Sequence, residues 1–240
     1  MGIPARTIDD LDNKSLQHIF SYLSLVDKLK ISLILDDFND LIKDALRNEI
    51  FDAFQVQTTF SLPDAKCILH NYGKFLRKYQ CETTCKVDFL SLITEYCTNM
   101  EEIVLSGCEI KDNAHSKLLY ISENLKSLTL RKCVLGIAAT CRLDELRQLK
   151  VLNLEDCSVH GQYLSRLRNL TELNIKNCRN INARDFIEIC KSNKLKKVNA
   201  EGLEQLTIAS AKTLVETRNI VCGQQVLAQR FKSGIASTTS

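Results

Sequence analysis

Proline and glycine are scarce, two and eight residues in a chain of 240. A disordered chain, or a sandwich of short strands joined by tight turns, uses far more of both, so continuous regular elements are expected. Long apolar runs are also missing. None reaches the ~20 residues needed to cross a bilayer. The opening MGIPARTIDDLDNK lacks the apolar core of a secretory signal. Arg6 stands where N-myristoylation requires Ser or Thr. The net charge is +3, with no Lys/Arg run long enough for a nucleic-acid arm, so neither membrane nor nucleic acid is an expected partner. Catalytic patterns are absent as well. His18, His70, His115 and His160 are far apart. There is no C-x-x-C, and Cys81 and Cys85 have no second pair beside them. No phosphate loop, nucleophile elbow or H-E-x-x-H occurs. The expectation is a protein that is not an enzyme and holds neither metal nor cofactor.

What the chain does have is a repeat. The ladder runs LRKYQCETT from Leu76, MEEIVLSGCEI from Met100, LKSLTLRKCVL from Leu125, LKVLNLEDCSV from Leu149, LTELNIKNCRNI from Leu170 and LKKVNAEGLEQL from Leu195. The starts are 24, 25, 24, 21 and 25 residues apart, and Cys108, Cys133, Cys157 and Cys178 keep step. Within each unit x-L-x-L-x alternates, the pattern of a short strand with one face buried. The inward pairs are Ile103/Leu105, Leu128/Leu130, Leu152/Leu154 and Leu173/Ile175. One unit cannot bury that face alone, whereas stacked parallel units share a core. The chain has eleven cysteines. Four of them recur at the repeat period, so they read as reduced, compact core residues of an intracellular protein, cytoplasmic or nuclear, rather than a disulfide framework. LSLITEYC (90–97) and ARDFIEIC (183–190) carry apolar residues at helical spacing, the second with Asn182 placed to start it.

Alternation also names the opposite, outward residues. They are Lys78, Gln80, Glu82; Glu102, Val104, Ser106; Ser127, Thr129, Arg131; Val151, Asn153, Glu155; Glu172, Asn174, Lys176; and Lys197, Asn199, Glu201. This inner face of the arc is polar and of mixed sign. It is the default place for a protein substrate, with Glu102, Thr129, Arg131, Asn153, Glu155, Asn174, Lys176 and Asn199 as its candidate contacts. Asn153, Asn174 and Asn199 line up as an expected rail of amide donors and acceptors.

Residues 8–54 differ. In LDNKSLQHIFSYL, Leu16, Ile19, Phe20 and Leu23 fall on one face of a helix that Asp12 or Asn13 can cap. A second helix restarts at Asp27 with Leu29, Leu33 and Ile34 apolar, and a third is expected over 43–54. About fifty residues bury little alone, so this module must lean on the repeats or on a partner. It is also the acidic part of the chain: residues 1–52 hold 6 Lys/Arg against 10 Asp/Glu, leaving +7 for the remainder.

The repeats resemble the cysteine-containing class of leucine-rich repeats. GKFLRKYQC (73–81) and ITEYCTNMEEIVLSGCEIKD (93–112) look like the opening repeats of F-box/leucine-rich-repeat proteins. The N-terminal segment resembles an F-box: Leu11 falls on its opening leucine, Leu16 on its first-helix leucine, SLVDKL (24–29) on the second-helix start, and Phe38 on the usual tryptophan. Asp12 and Val26 replace its two common prolines, and Lys14 a usual glutamate. The resemblance implies an α/β fold, a curved parallel-strand solenoid behind a small all-α module. The expected division is 1–55, 56–225 with about six repeats, and a polar tail 226–240. It further implies a substrate receptor. Leu11, Leu16, Ile19, Phe20, Leu23, Leu25 and Leu29 would meet a Skp-type adaptor, and through it a cullin, while the repeats hold the target for ubiquitination. The alternative is a repeat scaffold outside the ubiquitin system, its N-terminal helices serving as a cap.

Overall fold

The structure is a computed structural model describing residues 8–35, 38, 40–43, 53–81, 87–110, 123–136, 140, 143–192, 194–203 and 221–222. The fold is mixed α/β. Strands β1 (Lys78–Cys81), β2 (Glu102–Ser106), β4 (Ser127–Arg131), β6 (Val151–Asn153), β7 (Glu172–Asn174), β8 (Lys197–Asn199) and β9 (Val221–Cys222) form one parallel sheet in that order. Each of the six aligned units contributes one strand. β3 (Glu109–Ile110) and β5 (Val134–Leu135) pair in a second, two-stranded parallel ladder. Register matches unit to unit: Ile103 lies beside Leu128, Leu152 beside Leu173, and Asn153 beside Asn174. The inward residues, Tyr79 and Cys81 among them, are buried in one continuous core.

Parallel neighbours need a crossover. A ten-residue α-helix, α5 (Val87–Tyr96) or α6 (Ala183–Ser192), returns the chain in the units from Leu76 and Leu170, whereas the 24-residue unit from Leu125 shows the 3-10 turn Leu143–Glu145. The 21-residue unit from Leu149 returns through a six-residue 3-10 turn, Gly161–Arg166. At about 2.0 Å per residue it covers ~12 Å, close to the ~15 Å of ten α-helical residues. Asn182 Oδ1 accepts the Asp185 N–H at 2.9 Å and caps α6.

In the N-terminal segment, α1 (Asn13–Ser21) is capped by Asp12, whose Oδ1 accepts Ser15 N–H at 2.8 Å. Helix α2 (Leu25–Ser32) begins two residues before the expected Asp27, because Ser24 accepts the Asp27 N–H and caps it. It ends before Leu33 and Ile34. α3 (Ala53–Thr59) and α4 (Leu62–Tyr72) follow. The expected boundary at 55/56 falls inside α3. α3 packs against both α2 and β1, and Tyr79 Oη donates to Gln57 Oε1 at 2.7 Å in the core. Leu16, Phe20, Leu29, Phe38 and Ile42 join the core of the repeats, with Phe20 and Phe38 edge to face at 5.6 Å. Most of the expected third helix over 43–54, Glu82 and the 226–240 tail lie outside the described residues.

Candidate binding face

Behind β2, β4, β6, β7 and β8 the chain turns through one residue in the left-handed region: Gly107 (φ 64°), Lys132 (51°), Asp156 (58°), Asn177 (58°) and Gly202 (77°). Each immediately precedes the column residue Cys108, Cys133, Cys157, Cys178 or Leu203. The backbone N–H groups of the first four continue the ladder, donating to Arg131, Glu155, Lys176 and Glu201 carbonyls at 2.8–2.9 Å. The turn drops the next side chain into the core, which explains the column. Its thiols also do more than fill space. Cys157 donates to the Leu130 carbonyl and Cys178 to the Leu154 carbonyl, each at 2.9 Å, and Cys133 reaches the Leu105 carbonyl at 3.8 Å. Every such bond ties a unit to the one before it. Burial pushes the Cys97 and Cys178 thiols up to about 12, and contact with Cys133 together with burial raises Cys157. Cys67, Cys81, Cys97, Cys133, Cys157, Cys178 and Cys190 are not disulfide-bonded. Cys108 departs from the expectation of reduced cysteines: it is disulfide-bonded.

The outward residues lie where alternation put them. Glu102, Thr129, Asn153, Glu155, Asn174, Lys176 and Asn199 are half-buried on one side of the sheet, and Arg131 is exposed at its end. Their charges are mostly consumed between strands. Lys78 pairs with Glu102 at 3.1 Å, Lys197 with Glu172 at 2.9 Å and Lys176 with Glu201 at 3.0 Å. The Glu201 hydrogen bond holds the Lys176 ammonium above the ordinary lysine value, with Glu155 and Asp156 adding to it.

The amide column differs from the expected rail. Asn153 Oδ1 accepts the Glu155 N–H at 3.0 Å, Asn174 Oδ1 the Lys176 N–H at 3.1 Å, and Asn199 Oδ1 the Glu201 N–H at 3.2 Å. All three oxygens are thus turned back onto the backbone and only the NH2 groups face outward, making a rail of donors. The same bond captures the N–H that would have extended the strand. β6, β7 and β8 therefore stop at their asparagine, whereas β2 and β4, with Val104 and Thr129 there, run two residues further. Around these amides lies a shallow depression of about 380 Å³, flanked by Thr129 and Val151 and by the Glu172–Lys197 pair.

The comparisons add little. No family model and no curated protein matches the chain. A solved structure to which it is similar, the Rad7–Elc1 complex of yeast, matches over 88% of this chain and 88% of that one at 10% identity and a TM-score of 0.37. That likeness is too remote to bear on function.

The candidate adaptor contacts divide into two groups. Leu16, Phe20 and Leu29 are buried in the chain's own core, and Leu23 and Leu25 are half-buried. Leu11, just before the cap of α1, and Ile19 are exposed at 40% and 41%, and Tyr22, three residues past Ile19, at 77%. Ile34, at 78%, is a further exposed apolar residue of this segment. Sequence periodicity placed Ile19 on the buried face and missed Tyr22. An i, i+4, i+7 stripe of Leu16, Phe20 and Leu23 already fills the contact with Leu29 and Phe38, which leaves Ile19 at its margin. Among the described residues no His/Cys/Asp/Glu group is arranged to hold a metal ion, and no helix is long and apolar enough to cross a membrane.

Proposed function

We propose that the chain is a non-catalytic substrate receptor of a Skp–cullin–F-box type ubiquitin ligase. On this reading it is a leucine-rich-repeat solenoid behind an F-box, acting in the cytoplasm or nucleus. The observation that carries the reading is the set of exposed apolar residues Leu11, Ile19 and Tyr22 on and beside the short capped helix α1. Large apolar side chains grouped on an otherwise polar helix mark a partner surface. Leu16, Phe20 and Leu29 serve it indirectly, by fixing the helix to the core. The target lies on the strand face around Asn153, Asn174 and Asn199 and is brought near a loaded ubiquitin by proximity alone.

The test is a pull-down of the full chain with a Skp-type adaptor and cullin, alongside the Leu11→Asp, Ile19→Asp variant. Both positions are exposed, so the variant keeps its fold by circular dichroism and loses the adaptor. An intact chain that captures no adaptor ends this reading. A second reading has its own support. α3 packs against β1 at the end of the sheet, as a solenoid cap does, and the chain would then be a repeat scaffold outside the ubiquitin system. In that case the same variant lowers solubility and changes no adaptor binding.

A further inference from the structure

The described loop residues that lead into β6, β7 and β8, 146–150, 167–171 and 194–196, hold five Lys or Arg and no Asp or Glu. Along the sequence these cations are separated by acids elsewhere in the units, so no basic run is visible. The fold brings them to one edge. Thr171 N–H donates to the Lys150 carbonyl and Lys196 N–H to the Thr171 carbonyl, each at 2.8 Å, while Asn169 Nδ2 donates to the Arg147 carbonyl at 2.9 Å. Corresponding positions of the three loops are therefore stacked at strand spacing, ~4.8 Å apart. Lys150 and Lys196 flank Thr171 in this column, two strand spacings or about 10 Å apart, comparable to the ~8 Å Debye length at physiological ionic strength, so their fields overlap.

Lysines on this sheet are commonly paired, although exposed Arg131 at the end of β4 has no ion-pair partner among the described residues. Lys78, Lys126, Lys176 and Lys197 each sit on a glutamate of a neighbouring strand or loop. Arg147, Lys150, Arg168, Lys194 and Lys196 do not: all five are exposed and, among the described residues, none has an ion-pair partner. In the corresponding loops before β2 and β4 the charge is neutralised, since Glu101 takes Lys126 at 2.6 Å and Arg77 at 3.8 Å. The uncompensated stripe is thus confined to three adjacent units and ends where a glutamate enters the column.

We propose that this edge, at the start of β6, β7 and β8, docks an acidic segment of a partner protein. Its span decides the class. Three strand positions cover about 10 Å, the reach of three or four extended residues. A nucleic-acid backbone is bound by a longer row, typically about 6–10 phosphate contacts. Base stacking is not offered either. Tyr163, the aromatic of these loops and their preceding turn, lies under the Arg166 guanidinium at 5.9 Å. The edge also continues into the strand face, because Lys150 precedes Val151 and Lys196 precedes Lys197. A ligand crossing the asparagine column can lay an acidic flank on the stripe. This site stands whether or not the chain serves a ubiquitin ligase.

The test uses the full chain and a fluorescein-labelled deca-glutamate peptide, followed by fluorescence anisotropy. The intact chain binds saturably and releases the peptide as salt rises. The Arg168→Glu, Lys196→Glu variant binds at least about tenfold more weakly. A variant of equal net charge altered elsewhere, Lys66→Glu with Arg179→Glu, keeps its affinity. Circular dichroism checks the fold, and Arg147→Gln with Lys150→Gln replaces the reversal pair if that pair is misfolded. No peptide binding by the intact chain overturns the proposal, as does an equal loss in both reversal variants. Tighter binding of a ten-nucleotide single strand than of the peptide also overturns it, in favour of nucleic acid.

Discussion

Lys132 occupies a left-handed backbone position, φ 51°, that Gly107 and Gly202 fill at the equivalent turns of their units. A side chain there costs roughly 1–2 kcal/mol, partly offset by the greater entropy glycine loses on folding. Lys132→Gly is therefore expected to raise stability, or leave it level, by up to about 1 kcal/mol in urea unfolding. Gly202→Ala has the opposite sign. A Cβ at 202 collides with Asn177 Oδ1, and the backbone conformation resists it as well, so a loss of about 1–3 kcal/mol is expected. Equal effects from the two substitutions would mean that the turns are not equivalent. The thiols give a second check. Cys97 and Cys178 are buried with pKa pushed up to about 12, and a thiolate is the reactive form. Iodoacetamide should label exposed Cys67 in the folded chain and reach Cys97 and Cys178 only when the chain unfolds, as peptide mapping would show.

Among elements, α2 depends on one cap. Ser24 accepts the Asp27 N–H and donates to its carboxylate at 2.7 Å, so Ser24→Ala should cost about 1 kcal/mol. If instead it is neutral, α2 is held by packing alone. Asn174→Val removes the acceptor of the Lys176 N–H, and hydrogen exchange at that amide reports whether β7 lengthens to match β2 and β4. These elements also show how far the sequence was legible. Inward Leu128/Leu130 and Leu152/Leu154 and the helices at 90–97 and 183–190 followed from periodicity, because burial imposes a period of two on strands and 3.6 on helices. The turns were harder to see. Glycine, aspartate and asparagine before the column residue are a usable left-handed signal at Gly107, Asp156, Asn177 and Gly202, but Lys132 conceals it. The asparagine rail was placed correctly along the sheet. Its donor-only character was not legible, since which amide atom turns inward depends on a backbone N–H two residues away. The basic edge was hidden for another reason: its cations come from loops about two dozen residues apart, and only the stacking of units gathers them.

For the molecule as a whole, alkali should destabilise. A thiol whose folded value lies near 12, against an ordinary value near 9, adds stability that is fully present below pH 9 and is lost as pH rises towards 12. The urea midpoint should fall across that window, and a flat profile would contradict the burial of Cys97 and Cys178. The one-strand-per-unit ladder has a mechanical consequence too. The bonds between units that pass through cysteine and threonine side chains join residues only 21 to 28 apart in sequence. Load applied at the chain ends therefore meets one interface at a time instead of a sheet sheared all at once. Pulled in an optical trap, the molecule should unravel as a run of small low-force steps. Each should lengthen the tether by about 80 Å, the extended length of some two dozen residues. A single all-or-none rupture would show that the core binds the units more cooperatively than their local wiring suggests. Stepwise yielding would make the stack of units extensible, able to give way at one end while the rest keeps its grip.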